Sequence, residues 1–267
     1  MISEKKFLLF IKMLRLIRRF ALICLKWLPH EKPPKRIPQA LEERFTMGQQ
    51  MIVRYLYFDE TYPYSLPRVY MKRMVDICLE RVKRKESIAY GQTCLWLYDA
   101  LDKYSIVNKN VAIIGSNSPW LESICLYYGG KPTTIEYNRI ISLDKRLNIM
   151  TVHEYHDRPQ LFDAAFSISS FEHDGLGRYG DPINPDGDLA AMSQTKKMLK
   201  ESGLLFLSVP VGRDTLVWNA HRIYGRCRLP LLLNGWKILD TYGLTDASFE
   251  KSEIYPTEPV FVLQNQN

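Results

Sequence analysis

The chain has 267 residues, of which 46% are hydrophobic and 24% charged, and it carries a formal net charge of +7. This composition excludes global disorder and leaves room for one large domain or two small ones. The basic residues crowd the first third of the chain, in one group of Lys5, Lys6, Lys12, Arg15, Arg18, Arg19 and Lys26 and a second of Lys72, Arg73, Arg81, Lys83, Arg84 and Lys85. The excess charge therefore does not belong to a nucleic-acid groove in the core, and nucleic acid is not an expected partner.

Residues 1–28 read as a basic amphipathic helix. At about 100° per residue, Lys5, Lys12, Arg15, Arg19 and Lys26 fall on one side, and Leu9, Phe10, Met13, Leu14, Ile17, Ala21 and Leu28 largely elsewhere. A membrane span is disfavoured, because each central Lys or Arg costs roughly 2.5–3.5 kcal/mol on insertion. The pattern suits a helix lying in a membrane interface. A helix packed on its own domain or on a partner, and a signal-anchor, remain open. The expectation is a cytoplasmic protein held peripherally on an anionic membrane surface by residues 5–28. The five cysteines, Cys24, Cys78, Cys94, Cys125 and Cys227, form no CxxC pair, which fits a reducing compartment.

Residues 29–39, with Pro29, Pro33, Pro34 and Pro38, form a stiff extended linker. Residues 40–105 read as a helical extension: LEERFTMGQQMIVRYLYF, RVYMKRMVDICLERVKRK and TCLWLYDALDKY all have helical spacing, with a break at residues 62–67.

From residue 106 to 267 strands and helices alternate. VNKNVAIIGS is a strand ending at Gly115. SPWLESICLYYGG is a helix with Ser118 as cap, Pro119 at its first position and Gly129–Gly130 at its end. KPTTIEYN, IMTVHEY and FDAAFSISS are the next three strands. DLAAMSQTKKMLKESG is a helix stopped by Gly203, and LLFLSVP, GWKILDTYGL and PVFVLQN complete the sheet. The fold class is α/β, a Rossmann-like sheet of about seven strands with the last one antiparallel.

In such sheets ligands lie beyond the carboxyl ends of the strands, where the strand order reverses. Gly115 and Ser116 end the first strand, and Ser169 ends the fourth. Glu136 ends the second, about 20 residues after Gly115, where an acid can accept hydrogen bonds from both ribose hydroxyls of a nucleoside. These four are the candidate cofactor contacts. The loop GSNSPW holds one glycine, so the GxGxxG dinucleotide fingerprint is absent. Two polar runs follow the fourth and fifth strands. The first, SSFEHDGLGRYGDPINPDGD, carries Glu172, His173, Asp174, Arg178, Asp181, Asp186 and Asp188. The second carries Arg213, Asp214, Asn219, His221 and Arg222. His173 and His221 are the candidate general bases, with Asp174 orienting His173 and Arg222 clamping an acceptor.

The runs FDAAFSISSFEHDGLGRYGDPINPDGD and LLFLSVPVGRDTLVWNAHRIYGRCRLP resemble the hallmark runs of a family known as a domain of unknown function and regarded as class I methyltransferase-like. The resemblance spans roughly residues 105–265. IIGS, TIEYN and KMLKESGLLFLSVP are similar to the corresponding segments of class I S-adenosylmethionine-dependent methyltransferases. The chain departs from that pattern at Ile113, where those enzymes carry an acid, and in its single loop glycine. The resemblance implies S-adenosylmethionine as cofactor and a methyltransferase with an unspecified acceptor. Two alternatives stay open: a catalytically degenerate membrane-associated module of the same fold, and a metal-dependent enzyme using the acids of residues 172–188.

Overall fold

The computed structural model describes residues 32–61 and 67–266. The expected amphipathic helix of residues 1–28 lies outside the described residues. In chain order the elements are α1 (Glu42–Phe45), β1 (Ile52–Tyr55), β2 (Arg68–Tyr70), α2 (Lys72–Lys83) and α3 (Gln92–Lys103). Then come β3 (Asn110–Ile114), α4 (Trp120–Tyr127), β4 (Lys131–Glu136), β5 (Ile140–Ser142), β6 (Asn148–Thr151), α5 (Val152–Asp157) and β7 (Phe162–Ile168). The remainder is α6 (Gly187–Met198), β8 (Leu199–Ser208), β9 (Thr215–Trp218), β10 (His221–Ile223), α7 (Arg228–Leu232), β11 (Trp236–Tyr242) and β12 (Val260–Asn265).

The main sheet has seven strands in the order β11–β12–β8–β7–β3–β4–β6. All are parallel except β12, which runs antiparallel to both neighbours. This is the Rossmann-like, methyltransferase-type sheet expected from the sequence. The chain leaves β3 toward β4 and β6, then returns to β7 on the other side. The order therefore reverses between β3 and β7, and the crevice for a ligand opens there.

Period-two alternation places each strand residue in one of two cores. Val111, Ile113, Ala164, Phe166, Leu204, Phe206, Val260 and Val262 pack under Leu97, Leu101, Leu121 and Ile124 of α3 and α4. Ala112, Ala165, Leu205, Leu207, Phe261 and Leu263 face the other way, onto Met192 and Met198 of α6 and Leu229 and Leu232 of α7. Because both faces are covered, the central strands read as unbroken apolar runs.

Five local expectations are corrected. Residues 68–85 are not one helix: Arg68–Tyr70 form β2, which pairs in parallel with β5, and α2 begins only at Lys72. Residues 41–58 are not one helix: α1 ends at Phe45, and Met47, Gly48 and Gln49 have positive φ. The chain then enters β1, which pairs in parallel with β9. Phe45 and Met51 are buried with Leu216 and Trp218, so a tertiary contact overrides helical spacing. Residues 149–155 are not one strand. Thr151 closes β6 and caps α5, its hydroxyl accepting from the Glu154 N–H at 3.2 Å while the Glu154 carboxylate accepts from the Thr151 N–H at 2.6 Å. Helix α6 stops at Met198 rather than at Gly203, because Leu199 already pairs with Phe162 and the Asn265 amide donates to the carbonyls of Lys196, Leu199 and Lys200. The cap of α4 is Pro119 rather than Ser118, with no side-chain cap bond.

The Pro-rich stretch is tied down where it is described. Trp218 Nε1 donates to the Pro34 carbonyl at 3.0 Å, and the Tyr57 hydroxyl donates to that of Pro33 at 3.1 Å.

Phe206 is fully buried and edge-on to Phe166 at 5.2 Å between ring centroids. Phe206→Ala is expected to cost about 3–5 kcal/mol, read as a lower urea midpoint with an unchanged slope.

Candidate functional site

A cavity of about 760 Å³ opens at the point where the sheet order reverses. That volume is in the range of small-molecule and cofactor sites. Gly115 and Ile114 come to it from β3, Ile135 and Glu136 from β4, and Val152 and Tyr155 from α5. Ser169, Phe171, His173 and Asp174 come from the stretch after β7, and Ala190, Gln194 and Met198 from α6.

Gly115 has φ +78, and a Cβ built on it would stand 2.3 Å from Ser170 Oγ. Only glycine lets the end of β3 lie this close to the end of β7. The Ser116 side chain does not reach the cavity. Its hydroxyl is buried, 2.6 Å from Glu122 Oε1 and 2.9 Å from the Tyr70 hydroxyl. The expectation of a cofactor contact is thereby narrowed to the Ser116 backbone. Burial pushes the Glu136 carboxyl up to about 7, while Arg68 and the N–H groups of Ser116 and Gly115 draw it down. Arg68 also donates to the Ser116 carbonyl at 2.9 Å, which holds the glycine turn from the β2 side.

The loop between β7 and α6 is built around two carboxylates. Asp181 accepts the N–H groups of Gly175 at 2.7 Å, Gly177 at 3.0 Å and Tyr179 at 3.2 Å. A Cβ on Gly175, whose φ is +81, would meet the Asn184 carbonyl oxygen at 2.0 Å. Asp188, fully buried, takes two bonds from Arg228, at 2.6 and 2.9 Å, and one from the Tyr224 hydroxyl at 3.0 Å.

The expected roles of Arg222, His221, Asp174 and His173 are each corrected here. Arg222 is only 1% exposed and does not line the cavity. Its guanidinium donates to the carbonyls of Asp174 at 2.6 Å and Pro185 at 3.1 Å, and lies 3.8 Å from Asp188. It clasps the loop and has no face left for an acceptor. His221 is likewise buried, with Nε2 2.7 Å from the Ile254 carbonyl, so it is a structural donor. His173 does line the cavity. Its Nδ1 donates to the Ala220 carbonyl at 2.7 Å, not to Asp174. Burial, with Arg178 nearby, lowers its pKa to about 3. It is a neutral hydrogen-bonding ring and a weak base. Asp174 lines the cavity with its carboxyl pushed up to about 8 by burial and by Asp181, and so it holds a proton at neutrality.

The acids of residues 172–188 do not converge. Asp181 faces backbone N–H groups, Asp186 pairs with Arg44 at 2.6 Å, and Asp188 pairs with Arg228. Among the described residues no group of three or more His, Cys, Asp or Glu side chains has the geometry of a metal site. This placement gives the metal-enzyme alternative no ligand set among the described residues.

Ser169 lines the cavity, but its hydroxyl points to acids beneath it, 2.6 Å from Glu172 Oε1 and 3.3 Å from Glu258 Oε1. Arg68, Tyr90 and Glu258 were not legible as site residues. Arg68 and Tyr90 precede the α/β region, and Glu258 sits in an ordinary polar stretch before the last strand, with no motif around any of them.

The family model that matches residues 108–256 is described as Caenorhabditis protein of unknown function, DUF268. The chain belongs to this family. No curated protein matches it in sequence. Among solved structures, it is similar to Burkholderia thailandensis 1,6-didemethyltoxoflavin-N1-methyltransferase with bound 1,6-didemethyltoxoflavin and S-adenosylhomocysteine. That match has 15% identity and a TM-score of 0.49, and covers 63% of this chain and 76% of that one. The 4+2 cyclase SpnF matches at 14% identity and TM-score 0.47, over 79% of this chain and 97% of its own. The N-methyltransferase NodS from Bradyrhizobium japonicum matches at 13% identity and TM-score 0.42, over 71% and 97%. The strand order of the sheet carries the fold assignment without them.

Asp188→Ala leaves Arg222 and Arg228 buried without their carboxylate. A loss of about 3–5 kcal/mol is expected, measurable as a fall in the denaturant midpoint.

Proposed function

We propose that this family member is an S-adenosylmethionine-dependent methyltransferase. The observation that carries the reading is the pairing of Glu136 with the Gly115 turn across the cavity where the strand order reverses. A carboxylate there can accept both ribose hydroxyls of an adenosyl group in charge-assisted bonds. Ile135, Val152 and Tyr155 offer an apolar wall beside it. Gly115 keeps the backbone clear of side-chain atoms, as close approach of a cofactor requires. The residues present therefore fit the cofactor, which would supply an electrophilic methyl group. Asp174 and His173, on the loop side of the cavity, are proposed as neutral hydrogen-bonding groups toward the acceptor.

Membrane association is a separate proposal and rests on the sequence of residues 5–28 alone. Among the described residues no helix is long and apolar enough to cross a membrane. Each Lys or Arg near an anionic surface is worth about 1 kcal/mol. Flotation with phosphatidylserine-containing liposomes is expected to fall sharply when Lys12, Arg15 and Arg19 are changed together to Glu. Unchanged flotation of that variant would end the proposal.

Calorimetric titration with S-adenosylmethionine and S-adenosylhomocysteine tests the cofactor reading. Glu136→Ala is expected to weaken binding at least about tenfold, the equivalent of one lost bond of about 1.4 kcal/mol. No binding by the wild type at millimolar ligand would remove the methyltransferase reading and favour the degenerate module.

The pH dependence has a definite sign. Below about 7 Glu136 holds a proton and cannot accept both hydroxyls as a carboxylate. Affinity should therefore rise roughly tenfold from pH 6 to pH 8, following the ionised fraction, and Glu136→Gln should flatten that rise. Because the folded-state pKa lies above the unfolded one, Glu136 costs stability as pH rises through 7. Glu136→Gln should melt no lower than the wild type at pH 8.

A further inference from the structure

Methyl transfer to a hydroxyl or amine releases a proton, and neither histidine of the loop side can take it. His221 is turned away from the cavity, and burial with Arg178 nearby holds His173 at a pKa of about 3, which leaves its ring a weak base. Directly beneath the cavity wall lies a pair of acids joined by one hydroxyl. Ser169 Oγ stands 2.6 Å from Glu172 Oε1 and 3.3 Å from Glu258 Oε1. A hydroxyl has one proton, so it can donate to only one of two carboxylates. Both contacts become hydrogen bonds when the other acid is protonated and donates to the Ser169 lone pair. The remaining oxygens, Oε2 of Glu172 and Oε2 of Glu258, are buried with no partner. A second full negative charge in that setting would have nothing to offset it.

We propose that Ser169, Glu172 and Glu258 form a shared-proton site that receives the proton of a neutral hydroxyl or amine acceptor during methyl transfer; this rests on the methyltransferase reading. Ser169 is the member of the three that lines the cavity, and Tyr90 lines it as well. In the step, the acceptor's oxygen or nitrogen bonds to the methyl carbon. The carbon–sulfur bond breaks with its electron pair left on sulfur. The acceptor's proton passes to Ser169 Oγ, whose own proton moves to the ionised carboxylate of the pair. No oxidant or further reactant is needed.

The position of the pair is fixed by its surroundings. The Glu258 carbonyl accepts the hydroxyls of Thr93 at 2.7 Å and Ser208 at 3.1 Å, so the strand ends hold it in place. His173 Nε2 stands 3.6 Å from Glu172 Oε1. The other titratable groups acting on the pair are Asp174, Tyr90, Tyr179 and Tyr224, and Arg178 acts on Tyr90 and His173. Burial raises both acids, Glu258 to about 7 and Glu172 further, as Glu258 repels it. A site that exchanges its proton near neutrality suits a general base working there. Asp174, held near 8, stays protonated and does not compete.

The test is a carboxyl titration by ¹³C NMR on the full chain labelled at glutamate Cδ, with Glu172→Gln and Glu258→Gln assigning the two signals. Each signal is expected to show two inflections, because the protons belong to the pair. The first should fall near pH 7. Glu258→Gln should lower the Glu172 midpoint by about one pH unit as the like charge is removed, and Ser169→Ala should raise both midpoints as the hydroxyl donor is lost. Independent single-step titrations near the ordinary glutamate value in the wild type, which needs no variant to fold, would overturn the shared-proton site. Titration with S-adenosylhomocysteine on the same wild-type protein separates the two readings. Binding with ordinary glutamate titrations sinks this site alone. Failure to bind sinks the methyltransferase reading and with it the transfer step, whatever the glutamates do.

Discussion

The buried ion pair of Asp188 with Arg228 holds the functional side of this molecule together. Asp188 opens α6, and Arg228 opens α7, so one carboxylate joins a helix on the main sheet to the segment that follows β10. Arg222 adds a second guanidinium, whose donors go to the carbonyls of the loop between β7 and α6. Removing charges of this kind from water is costly, and the geometry must be nearly complete to offset it. Here it is: a two-point Arg–carboxylate fork, a tyrosine hydroxyl and several backbone carbonyls. The Arg222 and Arg228 fork pulls Asp188 below its ordinary range despite burial. The loop that forms one wall of the cavity is thus anchored at its far end by charge and within itself by Asp181.

The cavity works the other way. Glu136, Asp174, Glu172 and Glu258 all lie in or just under its walls, and burial raises each of them. Arg68 is the cation that offsets Glu136, and Arg222 the one that offsets Asp174, each only in part. Grouping acids in a desolvated crevice costs stability at alkaline pH, a cost that functional sites carry in exchange for protons held near neutrality. The contrast between Asp188 and Glu172 is instructive. Both are fully buried acids sixteen positions apart in one run. One is pulled down by two guanidiniums, and the other is pushed up by burial and then by its neighbour Glu258.

Part of the cavity lining is legible in the sequence. Gly115 and Glu136 follow from topology, since a glycine ending the first strand and an acid ending the second must meet at the crevice. His173 and Asp174 were placed on the rim for the same reason, as residues just after the fourth strand. Arg222 and His221 were misread because a polar residue after a strand end can turn inward as readily as outward. The β9–β10 hairpin pairs with β1, from far earlier in the chain, and buries both side chains. Ser116 was misread in the same way, its hydroxyl drawn under the turn by Glu122 and Tyr70. Arg68, Tyr90 and Glu258 carried no local signal, because their importance comes only from what the fold sets beside them.

The seven-stranded sheet and its antiparallel strand can be read from the sequence, because apolar runs punctuated by glycine and proline are local properties that survive in one dimension. The sequence also determined which strand ends carry polar side chains. Tertiary structure alone decided which of those polar groups face the cavity and which are spent on holding the loop. A hydrogen bond or ion pair between Asp188 and Arg228, or between Ser169 and Glu258, depends on residues 40 and 89 positions apart. No periodicity encodes such a pairing; it exists only once the sheet has brought the ends of its strands together.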